Sequence, residues 1–337
     1  MAEAAVGSGS PVGPTDLSRR SWWAVLKRTV GEFRDDNVLD WAAALTYYSV
    51  LSIFPGLLVL TSGLALMGPE PTRSLIDTVR QIGPGSGTDL VVGAIEELQG
   101  SRPVAGPLAI VGVLVALWTA SGYIGAFMRA VNSLYEMREG RPLWKLLPVR
   151  LGLTALMMML LAIAVTGVVV TGAVADRVGG WLGLGDAAVT VWGIAKWPVL
   201  AILISLVFAL LYWAAPNARQ PGFRWLSPGS VLAVVVWVIA SAGFTVYVSN
   251  FSSYNKTYGS LAGVVVFLVW LWITNIAVLL GAEFNAELTR ERSIEQGLPP
   301  HEEPFLPPRD EPDDGPRIFA GGDHTEEERK TDEQTQK

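Results

Sequence analysis

Long apolar runs alternate along the chain with short connections rich in arginine, proline and glycine. Crossing a hydrocarbon core about 30 Å thick takes about 20 apolar residues. The runs that reach this length are Ala42–Met67, Leu108–Ala130, Leu151–Val174, Val189–Ala214, Val231–Ser249 and Leu261–Ala282. A backbone in lipid must satisfy its own hydrogen bonds, which leaves helices or a closed barrel. These runs are too long for barrel strands and lack strict alternation. The pattern therefore predicts an all-α integral membrane protein, with six transmembrane helices filling a domain over residues 41–290.

Ahead of the first run, Trp22, Leu26, Val30 and Phe33 recur at three- and four-residue spacing, while Lys27, Arg28 and Arg34 fall off that face. This predicts an amphipathic helix over residues 19–40, lying in the membrane interface or packed on the protein's own loops. Between Gly68 and Gly106, two short amphipathic patterns flank Gly83-Pro84-Gly85. They predict a helical hairpin on the outer face, or a partly re-entrant element.

The ends read differently. Residues 1–18 are small and polar with no apolar core, so the first span is expected to act as the insertion signal. From Pro299 to Lys337, proline, acidic residues and glycine dominate. Such a segment cannot bury enough surface to offset chain entropy, so both ends, 1–18 and 299–337, are expected to be disordered.

Charge sets the orientation. The chain of 337 residues carries a net charge of −6 with 17% charged residues, below the roughly 25% usual in soluble proteins. The acidic excess belongs to the tail. Arg19, Arg20, Lys27, Arg28, Arg34, Arg138, Arg141, Lys145, Arg150, Arg219, Arg224, Arg290 and Arg292 fall on one side of the membrane, and only Arg73, Arg80, Arg102, Arg177 and Lys256 on the other. Basic loops stay in the cytoplasm, which predicts cytoplasmic N- and C-termini.

Candidate chemistry is sparse. There is no cysteine, and both histidines, His301 and His324, lie in the tail. Hydrolysis of RNA needs clustered metal ligands or a histidine acid or base. The apolar body offers neither, nor a basic, aromatic-laced surface for single strands. No catalytic residue, metal, cofactor or nucleic-acid partner is expected; the partners are the lipid bilayer and a small solute or ion. There is no Walker-type nucleotide loop, so transport would be secondary or passive.

Charges at membrane depth are functional candidates. Lys196 sits several residues into the fourth run, where it either snorkels or lines a path. Arg129 and Glu283 stand near the inner ends of the second and sixth runs, with Asn275 deeper. Glu283 and Glu287 share a helix face, and Arg129 is a candidate counter-ion. Tyr47, Tyr48 and Ser52 place hydroxyls just before Pro55, whose missing N–H frees a carbonyl. They form either part of a polar path or a satisfied kink.

The first span reads Asp40-Trp-Ala-Ala-Ala-Leu-Thr-Tyr-Tyr-Ser-Val-Leu-Ser-Ile-Phe-Pro55. Further pieces are Leu117-Trp-Thr-Ala-Ser-Gly122, Ala130-Val-Asn-Ser-Leu-Tyr135, Pro216-Asn217, Pro228-Gly229, Tyr258-Gly-Ser-Leu-Ala-Gly263 and Leu280-Gly-Ala-Glu-Phe-Asn-Ala286. In this order they resemble the YihY/BrkB family of bacterial inner-membrane proteins, over roughly residues 30 to 290. Ser230 and Trp272 depart from the family's usual Ala and Tyr. The resemblance implies a six-helix plasma-membrane protein with cytoplasmic termini. Labels in the family include ribonuclease BN and a serum-resistance virulence factor, alongside a transport or export role. A secondary or passive transporter or exporter of a small solute is the resulting expectation; the alternative is a non-transporting scaffold or envelope-maintenance protein.

Overall fold

The computed structural model describes residues 18–66, 107–181, 185–220, 222–223, 227–249, 260–300 and 303–311, together with isolated helical residues between 73 and 96. Among the described residues, seven continuous helices follow in order: α1 (Arg19–Asp35), α2 (Val38–Leu66), α3 (Pro107–Leu134), α4 (Leu143–Trp181), α5 (Gly185–Ala214), α6 (Pro228–Ser249) and α7 (Ser260–Glu295). Among the described residues, an isolated bridge between Ala218 and Pro308 is the one β-type pairing.

Five described stretches are long and apolar enough to cross a membrane: Val113–Leu134, Leu143–Ala164, Trp197–Ala214, Pro228–Val248 and Gly263–Glu295. A shorter apolar stretch, Val38–Ile53, lies in α2. Large apolar side chains such as Trp118, Ile163, Trp197, Ile239, Val246 and Val265 stand exposed on these helices. In water such a surface would be unusual; here it faces lipid. The protein is thus an all-α, multi-pass membrane-helix bundle.

Each helix from α2 to α6 packs on the next, and α7 closes the ring by packing on both α6 and α2. α7 also touches α1, α3 and α5. The main buried core gathers around Leu45, Phe127, Tyr135, Tyr212, Leu279 and Phe305. Helix ends are capped by local chemistry. The Ser21 N–H donates to Ser18 Oγ at 3.1 Å. Asn37, at φ 51°, turns the chain between α1 and α2, a left-handed conformation that Asn tolerates. Gly297, at φ 105°, ends α7 with the Leu298 N–H donating to Ser293 O at 2.9 Å, the αL cap glycine favours.

Two expectations change. The apolar line of α1 does not lie on one side. Trp22 stacks on Phe284 at 6.0 Å and Phe33 packs on the main core, while Trp23, Leu26 and Val30 are exposed. The cause is polar: Arg28 and Ser21 bond to glutamates of α7, which turns Val25 inward.

The acidic tail does not start at Pro299. Residues 303–311 are docked on the bundle. Phe305 is buried and stacks on Tyr135 at 5.7 Å. Arg309 donates to Ala218 O at 2.8 Å and Trp213 O at 2.7 Å. A composition poor in apolar residues hides one aromatic anchor and one arginine that find partners. The rest of the tail and residues 1–17 lie outside the described residues. So does most of the expected hairpin, in which Arg80 and Glu96 pair at 3.1 Å.

Candidate functional site

Three features meet at the α1 end of the bundle: a charge cluster, a polar lock between loops, and a cavity. All three are organised by the last turns of α7. Gly281 lets the α6 backbone approach closely. Asn285 then caps α6, its Oδ1 accepting from the Gly229 N–H at 2.9 Å and its Nδ2 donating to Ser227 Oγ at 2.9 Å.

The charge cluster occupies one face of α7. Arg28 of α1 donates to Glu287 at 2.5 Å and to Glu291 at 2.6 Å. Arg290, nearly buried, lies within 4 Å of Glu32, Glu136, Glu287 and Glu303, at 3.7, 3.5, 3.6 and 3.3 Å. Carboxylates outnumber guanidiniums here, and burial together with this crowding raises the proton affinity of several of them. Burial first, then the hydrogen bond and charge of Glu303, push Glu136 up to about 8. Burial and then the charge of Glu32 push Asp36 up to about 6. Glu32 is also raised, by burial and then by Glu287. Glu283 is buried, and its Oε2 receives no hydrogen bond from an N–H or hydroxyl of the described residues. The Asp36 carboxyl faces it from the α1–α2 turn.

The polar lock joins the α3–α4 connection to the segment after α5. Asn217, fully buried, donates its backbone N–H to Asn132 Oδ1 at 2.8 Å and its Nδ2 to Arg138 O and Asp310 O at 3.1 and 2.8 Å. Asn132 Nδ2 in turn donates to Glu139 at 2.9 Å. Glu139 is bidentate with Arg141, at 2.6 and 2.7 Å. Burial alone would raise Glu139; the Arg141 guanidinium more than offsets it and holds the carboxyl below its usual range. Lys145 reaches Asp310 and fastens the docked segment.

At membrane depth, Asn275 is buried and fully engaged. It accepts from the Tyr123 hydroxyl at 3.1 Å and donates to Thr46 Oγ1 at 3.1 Å and Leu271 O at 3.0 Å, tying α7 to α3 and α2. From Tyr123 an aromatic column runs through Phe127 to Tyr212 and Phe208, with ring centroids 6.1–6.4 Å apart. The Tyr212 hydroxyl donates to Val278 O at 2.6 Å, one helical turn from Asn275.

The other expected residues scatter. Tyr47 is exposed on the outside of α2 and meets Tyr48 edge-on at 5.4 Å. Tyr48 itself lies against Gly122. Ser52 Oγ donates to Tyr48 O at 2.7 Å, not to the Leu51 carbonyl that Pro55 leaves without its donor. Arg129 stands on the exposed side of α3 near Arg150. The cations beside Glu287 are instead Arg28 and Arg290, because residue 129 points away from the face that Phe127 and Val131 bury. Lys196 is helical, but its side chain lies outside the described residues. Thus Asn275 and Glu283 belong to connected networks, and Tyr47, Ser52 and Arg129 do not join them. Arg28, Asp36 and Arg290 are the partners sequence reasoning missed; their only signal was acids repeating every four residues on α7.

The cavity lies on the other face of α7, between the ends of α5, α6 and α7. It has a volume of about 370 Å³, with Tyr212, Trp213, Arg219, Ser227, Thr289 and Arg292 among its walls.

Together these features define a multi-pass membrane bundle. Among the described residues no cluster of His, Asp or Glu is arranged to hold a metal, and the chain has no cysteine, so no metal- or cysteine-based catalytic site is present there. Residues 29–305 match the family model described as Virulence factor BrkB, and the chain belongs to that family of bacterial membrane proteins. It is 30% identical over 260 residues to the ribonuclease-like protein YfkH of Bacillus subtilis (strain 168), covering 77% of this chain and 93% of that protein. It is also 30% identical over 263 residues to a UPF0761 membrane protein of Alkalilimnicola ehrlichii, covering 76% of this chain and 56% of that one. A UPF0761 membrane protein of Chromohalobacter salexigens shares 30% over 302 residues, 84% of this chain and 68% of its own length. The chain thus spans little more than half of the Alkalilimnicola relative. No solved structure matches.

Proposed function

We propose that the protein is a secondary or passive transporter or exporter of a small solute, with six spans and both termini in the cytoplasm. On this reading α2 is the first of the six spans and adds to the five longer apolar stretches, and α1, with Trp23, Leu26 and Val30 outward, lies in the cytoplasmic interface. The observation that carries it is the order of features along the bundle. The cavity at the α1 end is floored by Tyr212. Beyond it stand the Phe127 and Tyr123 rings, and then the Asn275 network. A polar vestibule, an aromatic plug and a buried polar station in sequence are what a gated path needs; a scaffold needs none of them. The basic connections of the α1 end support a cytoplasmic vestibule.

A second reading, a non-transporting membrane scaffold or envelope-maintenance protein, draws on the closed bonding of Asn275 and the exposed apolar stripe of α1. The ribonuclease label of the Bacillus relative is not carried over, since the two histidines of this chain fall at 301 and 324, beyond the helical body.

Reconstitution into liposomes with a panel of solutes and ions tests the proposal. Flux of at least one solute, reduced at least tenfold in Asn275→Leu and altered in Tyr212→Ala, is expected. A broad panel without flux above protein-free vesicles would favour the scaffold.

A further inference from the structure

The last turns of α7 present two chemically opposite faces. At 100° per residue, Glu283, Glu287, Arg290 and Glu291 fall together on the side that meets α1 and the docked 303–311 segment. Asn285, Thr289, Arg292 and Gln296 fall on the opposite side and line the cavity. The carboxylates of this end are thereby sorted away from the cavity. Among its described lining residues there is no Asp or Glu, but there are two arginines, Arg219 and Arg292.

We propose that this cavity binds an oxyanion of the phosphate class, either free or as the headgroup of an anionic lipid. Several observations converge. The two guanidiniums come from different elements, Arg219 from the segment after α5 and Arg292 from α7, so a bound anion would be held from two sides. The Arg219 side chain is exposed at the cavity wall and makes no hydrogen bond or ion pair with the described residues. Guanidinium forks match phosphate oxygens in a bidentate manner. Ser227 and Thr289 add hydroxyls suited to ester or sugar oxygens, and Trp213 gives an apolar wall. The volume of about 370 Å³ falls in the range of small-molecule sites, about 300–1,000 Å³. The cavity lies at one end of the apolar stretches, beside the start of Pro228–Val248, so the same chemistry can come from the bilayer or from solution. Binding of this kind stands whether or not the protein moves a solute.

The test uses the full chain purified in an uncharged detergent, with titration calorimetry of inorganic phosphate, dioctanoyl phosphatidylglycerol and, as a zwitterionic control, dioctanoyl phosphatidylcholine. Saturable binding is expected for phosphate, for phosphatidylglycerol, or for both; phosphate binding identifies a soluble anion, and phosphatidylglycerol binding alone identifies a lipid headgroup. Arg219→Gln, at the exposed mouth of the cavity, should weaken it by about tenfold, the scale of one charge-assisted hydrogen bond. Arg219→Lys should retain most of the affinity, and Arg138→Gln, a basic residue outside the cavity, all of it. Arg292→Gln should weaken binding in a protein that still elutes as a single species. The proposal is overturned if the wild type binds neither anion, if phosphatidylcholine binds as tightly as phosphatidylglycerol in the absence of phosphate binding, or if Arg219→Gln leaves affinity unchanged. Because no flux is measured, its failure is distinct from a failure of the transport reading.

Discussion

Gly229 and Gly281 meet backbone to backbone where α6 crosses α7. A β-carbon built on Gly229 falls 2.1 Å from the Gly281 carbonyl oxygen, and one built on Gly281 falls 2.5 Å from the Gly229 carbonyl oxygen. Small residues are the usual means of close helix approach in lipid. At this crossing they also bring Asn285 within reach of the α6 N-terminus.

Alanine at either glycine must therefore push two backbones apart. Gly281→Ala and Gly229→Ala should each destabilise the bundle by about 1–3 kcal/mol or more, read as a lowered apparent Tm and a poorer yield of monodisperse protein. Gly243→Ala on α6, where nothing lies within 4 Å of the added carbon, should be neutral.

Helix α1 is held by charge. Arg28→Ala leaves Glu287, only 3% exposed, without one of its two cations. A buried pair broken on one side costs about 3–5 kcal/mol; because Arg28 is partly exposed, the loss should fall at or below the lower end. Hydrogen exchange should show α1 losing protection while α3 and α5 keep theirs, and Glu287→Gln should restore part of it.

Burial of crowded carboxyls makes stability depend on pH. The carboxyl of Asp36 rises to about 6 and that of Glu136 to about 8, both above their unfolded values. Protons are therefore bound more tightly by the folded state. The contribution is fully present below about pH 4 and is lost as pH rises through 6 to 8. Apparent Tm in detergent should fall by a few degrees between pH 5 and 9. Glu136→Gln should flatten that fall, and an unchanged slope would contradict the assignment.

How much of this was legible in the sequence depends on the length of the pattern. Twenty apolar residues in a row have one solution in lipid, so Leu108–Ala130 and Val231–Ser249 read almost directly onto α3 and α6. The helices overrun those limits wherever polar turns continue them, as α7 does from Ala282 to Glu295. Hydropathy sees the hydrocarbon slab and not the helix. Glu283 and Asn275 stood out because polar groups are rare at such depth. The partners of Glu283 and of its helix-mate Glu287 did not, because Asp36 and Arg28 lie more than 240 positions away in ordinary polar sequence. Pairing Glu287 with Arg129 failed for a rotational reason: neither the facing azimuth of α3 nor the docking of α1 is written in spacing alone.

The docked segment behaves like a latch. Phe305→Ala should cost about 3–5 kcal/mol, as for other buried aromatics. Deleting residues 312–337 should leave apparent Tm unchanged, whereas ending the chain at Pro300 should lower it by at least as much as Phe305→Ala.

The central claim, that the α1 end is a cytoplasmic vestibule in a six-span bundle, is tested most directly by sided thiol labelling. The chain has no cysteine, so single cysteines report without background. A membrane-impermeant maleimide should modify Ser293→Cys, in the cavity wall, in inside-out vesicles but not in intact cells, and Arg73→Cys in intact cells but not in inside-out vesicles. Labelling of Ser293→Cys from outside, or of both positions from the same side, would contradict the account.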